Sequence, residues 1–544
     1  MYLKTGPLEG KAYLVVDDFG DMRSMMRNLL ISCGVSDIAL ASNGTEAISS
    51  MKSRRFDVVL CDYNLGHGKD GQQVLEEARH HNLIGLGCVF LMVTAENARD
   101  MVMGAVEYEP DSYLTKPFNK ELLKSRLEKL IARKENLRPV EEALHSHDHT
   151  AAIAILDNML AEKSANSSEL RKLKGEILLN AGETSLAREV YESMLAIRDM
   201  PWARLGLGKT LYHDKRFSEA QQVFQALIDS QANYTPAYDW LAKSHKSLDQ
   251  LQAAQDTLKA AAEISPKAVR RQQLLGEIAL QNKDHETALF AFGNAVKHGR
   301  HSVYKHPAAY ANLAKITAVT KQGDAGLKVL RDMKREFIKD PHADFYLATA
   351  ESEIHQGMGN SDAAKASLDR AAEIHKELDT QKHTDCALEM AKAYGRFGMQ
   401  DKAVDLMQNA VLNNHTDDEL LNEVKQTMQS MGLQQETLSS VDKIRREVAE
   451  LNNRGVDLAK SGQMKEAIEL LEQTAERMPG NKVVNLNTAL VLLLEVESRS
   501  PSPQDAAKIA RYLQRVESID PENRTLNKLK QRLKTMNKAI DGEM

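Results

Sequence analysis

Residues 12–18 read Ala12-Tyr13-Leu14-Val15-Val16-Asp17-Asp18, five apolar positions running straight into two carboxylates. A short, continuous apolar run predicts a strand buried on both faces, and the acids mark its carboxyl end. Three more runs lead to such residues: Val58–Leu60 to Asp62, Val89–Val93 to Thr94, and Ser112–Thr115 to Lys116-Pro117. In an open parallel sheet the carboxyl ends of neighbouring strands converge on one crevice. Three carboxylates, a hydroxyl and an ammonium are therefore predicted to meet there. That chemistry suits a hard cation and a transferred phosphoryl group.

Outward from this run, residues 11–134 alternate β-branched stretches with amphipathic ones. The pattern predicts strands at 12–16, 37–41, 57–62, 88–93 and 111–115, and helices at 21–33, 44–53, 71–80, 97–106 and 119–134. It is the pattern of an α/β doubly wound, flavodoxin-like domain. After Pro139 the strand signal stops and a helical repeat begins. A small residue is followed twelve positions later by alanine in Gly175/Ala187, Gly208/Ala220, Ala242/Ala254, Gly276/Ala288, Ala391/Ala403 and Gly455/Ala467. The first members at 175, 208, 242 and 276 recur every 33 or 34 residues, and Ala314 and Ala348 continue the series after small insertions. Two antiparallel helices cross closely at such positions, where only Gly or Ala lets the backbones approach.

The array resembles the tetratricopeptide repeat (TPR) family over roughly residues 136–523, which implies an all-α solenoid. The whole chain is then multidomain: a first domain at 11–134, a short, stiff linker at 135–139, TPR-like repeats at 140–410 and further repeats at 451–535. The span 411–450 lacks a clear small/Ala pair and reads either as a degenerate repeat or as connecting helices.

Composition narrows the function classes. The 544 residues carry a formal net charge of -6, so no broad basic footprint for nucleic acid exists. The four cysteines, Cys33, Cys61, Cys88 and Cys386, form no paired motif, which fits a reducing cytosol better than a disulfide framework. Residues 1–10 lack the apolar segment of a signal peptide, and the run around Ala489–Leu494 is too short for a bilayer. A cytoplasmic protein without membrane or nucleic-acid partners is the expectation.

The words VVDDF in 15–19, RNLL in 27–30, LMVTAE in 91–96 and YLTKPF in 113–118 resemble the receiver domains of two-component response regulators, and within them the chemotaxis type. The resemblance implies that Asp62 is the phosphoacceptor. It also implies that Asp17, Asp18, Asp62 and the backbone carbonyl of Asn64 hold one Mg²⁺. Lys116 and Thr94 would stabilise the phosphoryl group, Thr94 and Tyr113 would form the switch, and Asn64 and Glu96 would tune the lifetime of the acyl phosphate. The implied readout face is helix 97–106, strand 111–115 and helix 119–134. One departure stands out: Gly66 replaces the usual proline, and the loop from Asp62 to Gly71 is one residue longer than usual.

Other clusters read as background. His145, His147 and His149 suggest a metal clip but lack a further ligand, so a solvated linker is expected. His298, His301 and His306, with Lys297, Arg300 and Lys305, lie in a lengthened inter-repeat loop. They read as an exposed loop or a small anion- or partner-binding patch. The expected function is a response regulator, not an enzyme beyond its own phosphoryl transfer and slow dephosphorylation. Its expected partners are a histidine kinase or phosphotransfer protein, a protein or peptide in the TPR groove, and a second copy in a homodimer. The alternatives are a phosphate sink for a kinase, or a constitutive scaffold whose receiver serves only for dimerisation.

Overall fold

The computed structural model describes residues 7–95, 109–162, 167–320, 323–378, 384–499, 501–521 and 523–540. The chain divides into two compact units, residues 1–309 and 310–544. The first opens with a five-stranded parallel sheet, β1 (Ala12–Val16), β2 (Asp37–Ala41), β3 (Val58–Asp62), β4 (Val89–Thr94) and β5 (Ser112–Thr115), in the order β2-β1-β3-β4-β5. Each strand lies within a residue or so of its predicted bounds. Helices α1 (Gly20–Ser32), α2 (Gly44–Ser53), α3 (Gly71–His80) and α4 (Lys120–Lys134) flank it. The predicted helix 97–106 lies outside the described residues.

The continuous apolar strands are explained by burial on both faces. One apolar layer joins Leu14, Val16, Val59, Cys61, Phe90 and Met92 to α2 and α3, and the other joins Tyr13, Val15, Val58, Leu60, Leu91 and Val93 to α1 and α4. Because side chains alternate along a strand, neighbours in sequence feed opposite layers. The sheet order reverses between β1 and β3, which opens the ligand crevice there. Val16 pairs with Cys61, so Asp17 and Asp62 leave the sheet side by side.

The expected stiff junction is helical. A 3₁₀ turn at Glu135–Leu137 follows α4 directly, and a new helix begins at Arg138 with Pro139 in its first turn, where its missing N–H costs nothing. Glu141 of that helix seats against the loop before β4: its Oε2 accepts from Gly87 N–H at 3.0 Å, and a Cβ on Gly85 would fall 1.9 Å from its Oε1.

Beyond the junction the first unit consists of helix pairs: 167–180 with 184–197, 201–213 with 217–230, 235–247 with 251–264, and 269–281 with 285–299. The small residues do what their spacing predicts. A Cβ added to Gly175 would lie 2.6 Å from Tyr191, on Gly208 2.3 Å from Phe224, and on Gly276 2.8 Å from Phe292. The partner ring stands one helical turn beyond the paired alanine, so Ala187, Ala220 and Ala288 are fully buried beneath the same crossing. Ala242 and Ala254 are likewise fully buried.

In the second unit, Ala391 and Ala403 are buried, and a Cβ on Gly455 would lie 2.5 Å from Leu471, four residues past buried Ala467. The span 411–450 resolves into helix Asp418–Ser430 and the front of one 26-residue helix, Gln435–Lys460. Leu438 and Val441 pack with Val424 and Met428 in one cluster, while Val448 packs with Val484 and Leu493 in the next. One helix therefore serves two repeats, which hides the repeat border from a period count. Among the described residues no helix is long and apolar enough to cross a membrane.

Candidate functional site

At the carboxyl ends of β1 and β3, one carboxylate oxygen from each of Asp17, Asp18 and Asp62 lies within 4.8 Å of the others. Asp17 is fully buried and Asp62 is 6% exposed. Their positions follow from the parallel register, because each is the first residue beyond, or the last residue of, a strand buried on both faces. Phe19 N–H donates to Asp17 Oδ1 at 2.9 Å, which fixes the turn into α1.

Lys116 enters from the end of β5. Its backbone N–H donates to Thr94 O at 2.8 Å, and the Lys116-Pro117 peptide is cis. The ammonium bridges Asp17 Oδ2 at 2.7 Å and Asp62 Oδ2 at 2.8 Å. Burial holds the Asp62 carboxyl above its ordinary value, and the Lys116 hydrogen bond opposes that shift without cancelling it. For Lys116 burial acts downward, but its bonds to Asp17 and Asp62 outweigh it and hold the ammonium above the usual lysine range.

One ammonium cannot satisfy three carboxylates. Asp18 Oδ1 is buried without a hydrogen-bond partner among the described residues, an expensive state for a charged oxygen. The donor set is all oxygen, and a hard divalent cation with retained waters fits it. The loop that follows Asp62 leans over this pocket. Asn64 Oδ1 accepts from Gly66 N–H at 3.2 Å, which leaves the Asn64 side chain engaged in the turn. Gly66 has φ +70°, and a Cβ there would stand 3.0 Å from Asp18 Oδ2. Glycine in place of the expected proline thus permits both a left-handed backbone and close contact with the acid. Gly71 is equally constrained, since a Cβ on it would fall 2.2 Å from Asp62 O.

Thr94, 8% exposed, ends β4 opposite Thr115 and so borders the same crevice. Tyr113 packs its ring against the α2–α3 layer with its hydroxyl buried and without a hydrogen-bond partner among the described residues, and burial raises its pKa. Glu96 lies outside the described residues. Asp17, Asp18, Asp62, Asn64, Thr94 and Lys116 are thus brought together, with Tyr113 two residues down β5 from Thr115 at the rim.

A second arrangement involves the loop at 298–306, for which a partner-binding patch is one of the two expectations. Helix α3 buries seven of its ten residues, including Gln72, Glu76 and Glu77, whereas α1 buries two of thirteen. Its outer side is covered by the repeats of the same unit. Lys69 Nζ donates to His301 O at 2.9 Å, Gln73 Nε2 to His298 O at 3.1 Å, and Ser302 Oγ to Glu76 Oε2. His80 and Tyr304 meet edge to face at 5.5 Å, and Lys267 lies 5.6 Å from the ring centre of Tyr63. Farther along, Glu109 pairs with Lys172 at 2.8 Å, and Arg133 reaches Glu169 at 3.0 Å. The loop at 298–306 therefore packs on the first domain through Ser302, Tyr304 and the carbonyls of His298 and His301, while Arg300 and His301 stay exposed. Of the readout face implied by the resemblance, Arg133 on α4 takes part in this contact.

The response regulator receiver domain family matches residues 13–128, and the tetratricopeptide repeat family matches residues 235–267. Over 120 residues the chain is 37% identical to the chemotaxis protein CheY of Pseudomonas aeruginosa, covering 22% of this chain and 95% of that protein. It is 34% identical to CheY-3 of Vibrio cholerae over 120 residues, 22% of this chain and 91% of that one. Among solved structures it is similar to a two-component response regulator from Clostridium difficile (27% identity, 23% of this chain, 97% of that one, TM-score 0.21). It is also similar to the chemotaxis response regulator CheY4 of Vibrio cholerae (27% identity, 22% and 98%, TM-score 0.21).

Proposed function

Because the chain belongs to the response regulators, joining a CheY-like receiver to tetratricopeptide repeats, we propose that Asp62 accepts a phosphoryl group from a histidine kinase or phosphotransfer protein and that the repeats are a protein-interaction output. The convergence of Asp17, Asp18 and Asp62 with Lys116 supports this reading most directly. We assign the receiver to residues 11–134 and the output to the repeats from 140 onward.

Mg²⁺, held by Asp17, Asp18, Asp62 and the Asn64 carbonyl, supplies charge neutralisation at the phosphoryl oxygens when bound. The chain's own groups do the rest. An Asp62 carboxylate oxygen attacks phosphorus, the P–N bond to the donor histidine breaks, and its electron pair stays on the imidazole, which takes up a proton. Lys116 already touches Asp62 and is placed to follow the charge onto the phosphoryl oxygens. Thr94 then hydrogen-bonds the acyl phosphate, Tyr113 moves inward as the switch, and Asn64 and Glu96 govern attack by water.

The test uses acetyl phosphate with Mg²⁺ on the full chain. We expect one acid-stable, hydroxylamine-sensitive phosphoryl group that Asp62→Asn abolishes. Pull-downs with and without beryllofluoride then separate the alternatives. Partners that change with beryllofluoride mark a gated output. Partners that never change, beside a fast-decaying phosphate, mark a phosphate sink. Partners and function unaltered by Asp62→Asn mark a constitutive scaffold.

A further inference from the structure

The buried polar face of α3 poses a question that the receiver alone does not answer. Gln72 and Glu76 are each 5% exposed, yet neither belongs to an apolar layer of the sheet. Such groups are buried only against hydrogen-bonding partners. Gln72 accepts from Tyr63 within the receiver, but the partner of Glu76 comes from the repeats: the Ser302 hydroxyl, itself 6% exposed, meets Glu76, and beside it the carbonyls of His298 and His301 accept from Gln73 and Lys69. Tyr304, which packs on His80, is held from behind by the Arg270 guanidinium at 5.1 Å and by Gln273, which donates to its carbonyl at 3.0 Å. The 298–304 loop, backed by the helix at 269–281, thus presents a built surface to this one helix.

The same contact is tied to the acidic pocket by a short run of chain. Gly71 opens α3 and lies against the Asp62 carbonyl, while its N–H donates to Tyr63 O at 2.8 Å. Asp70 caps α3 through Gln73, the residue that bonds His298. Gly66 touches Asp18, and three residues later Lys69 bonds both Glu77 at 3.0 Å and His301. Asn64 and Lys69 are five residues apart on this one loop, which joins the pocket to the contact with the repeats.

We propose that α3 and the 298–304 loop form an internal latch, in which the chain's own receiver occupies the inner face of the first repeats until occupancy of the Asp62 pocket loosens it. This rests on the phosphoacceptor reading above. It assigns the signal to the loop before α3, on the side of the receiver opposite α1. The occupant of these repeats at rest is then the receiver rather than a separate peptide. The extra loop residue between Asp62 and Gly71 supplies the slack by which the pocket and Lys69 are connected.

Linkage makes the latch testable in both directions. If pocket occupancy weakens docking, then weakened docking must strengthen occupancy by the same factor. Hydrogen exchange on the full chain, with Mg²⁺ and beryllofluoride, should show faster exchange in residues 69–80 and 298–304 of wild type and no change in Asp62→Asn. Ser302→Leu should bind beryllofluoride about fivefold or more tighter than wild type, a typical allosteric coupling. Lys69→Ala, which keeps the repeat side intact, should act in the same direction and serves where Ser302→Leu does not fold. Beryllofluoride bound at Asp62 by fluorine resonance, with exchange at both segments unchanged or slowed, would overturn the latch and leave the phosphoacceptor reading standing. Failure of wild type to bind it at all would remove that reading and the latch with it.

Discussion

Lys116 Nζ stands 2.7 Å from Asp17 Oδ2 and reaches Asp62 with the same ammonium, so one cation already bridges two buried acids of the receiver. Without a divalent ion this lysine is the main counter-charge that keeps the pocket folded. Its role changes when the pocket fills, from holding two carboxylates together to stabilising a transferred group.

Lys116→Ala should therefore lower the stability of the metal-free chain by on the order of 3 kcal/mol, since it strands buried carboxylates. Added Mg²⁺ should restore most of that loss, while phosphoryl incorporation from acetyl phosphate falls. Thermal melts with EDTA and with Mg²⁺ measure the first effect. Equal losses under both conditions would contradict the counter-charge role.

Gly71→Ala puts a methyl against the Asp62 carbonyl, which is backbone and cannot step aside. The cost should be about 1–3 kcal/mol, as for other overpacked sites. Phosphoryl incorporation should fall with it, because the clash lies beside the acceptor. Gly68→Ala, two residues into open space but at φ +108°, should cost stability through backbone strain and leave the acceptor geometry alone. Urea midpoints paired with incorporation rates distinguish the two.

Gly208→Val should destabilise the first unit by about 1–3 kcal/mol by driving a side chain into Phe224. Adding Phe224→Leu should recover part of that loss, since the two residues share one crossing and their effects cannot be additive. A double-mutant cycle from urea unfolding reads the coupling; simple additivity would mean that the crossing had relaxed some other way.

Two histidines make the second unit sensitive to acid. Burial lowers the pKa of His375 and of His415, and Arg445 adds to the effect on His415. Both are neutral in folded and unfolded chains well above the ordinary value of 6.5. Between that value and their lower folded values the unfolded chain binds more protons, so stability falls as pH drops through the window. The urea midpoint should decline from pH 7.5 to 5.5, and His415→Gln should flatten the decline. An unchanged slope would place the acid sensitivity elsewhere.

The receiver chemistry was legible because its acids sit where strand periodicity stops: Asp17 and Asp62 are marked by the apolar runs before them, whatever packs outside. The TPR pairs were legible because Gly208 or Ala220 leaves no choice of neighbour at a close crossing. The α3 contact was not. Gln73 and Glu76 read as part of an ordinary solvated face, and only the fold shows that residues more than two hundred positions away cover them. Ser302 and the carbonyls of His298 and His301 carry no compositional mark at all, because backbone acceptors are written into every residue. The border near 435 was hidden for a different reason, since a helix shared by two repeats has no turn residues to punctuate it.

That shared helix, Gln435–Lys460, bears on how this array could have been assembled. Repeat proteins grow and shrink by duplication or loss of whole units, which requires a seam where one unit ends before the next begins. Between Leu438 and Gly455 there is no such seam: a cut removes the second helix of one repeat and the first of another together. Length changes in relatives of this chain should therefore fall on either side of the helix and not within it. The number of repeats before and after that point can drift, but the two repeats joined there are inherited as one piece.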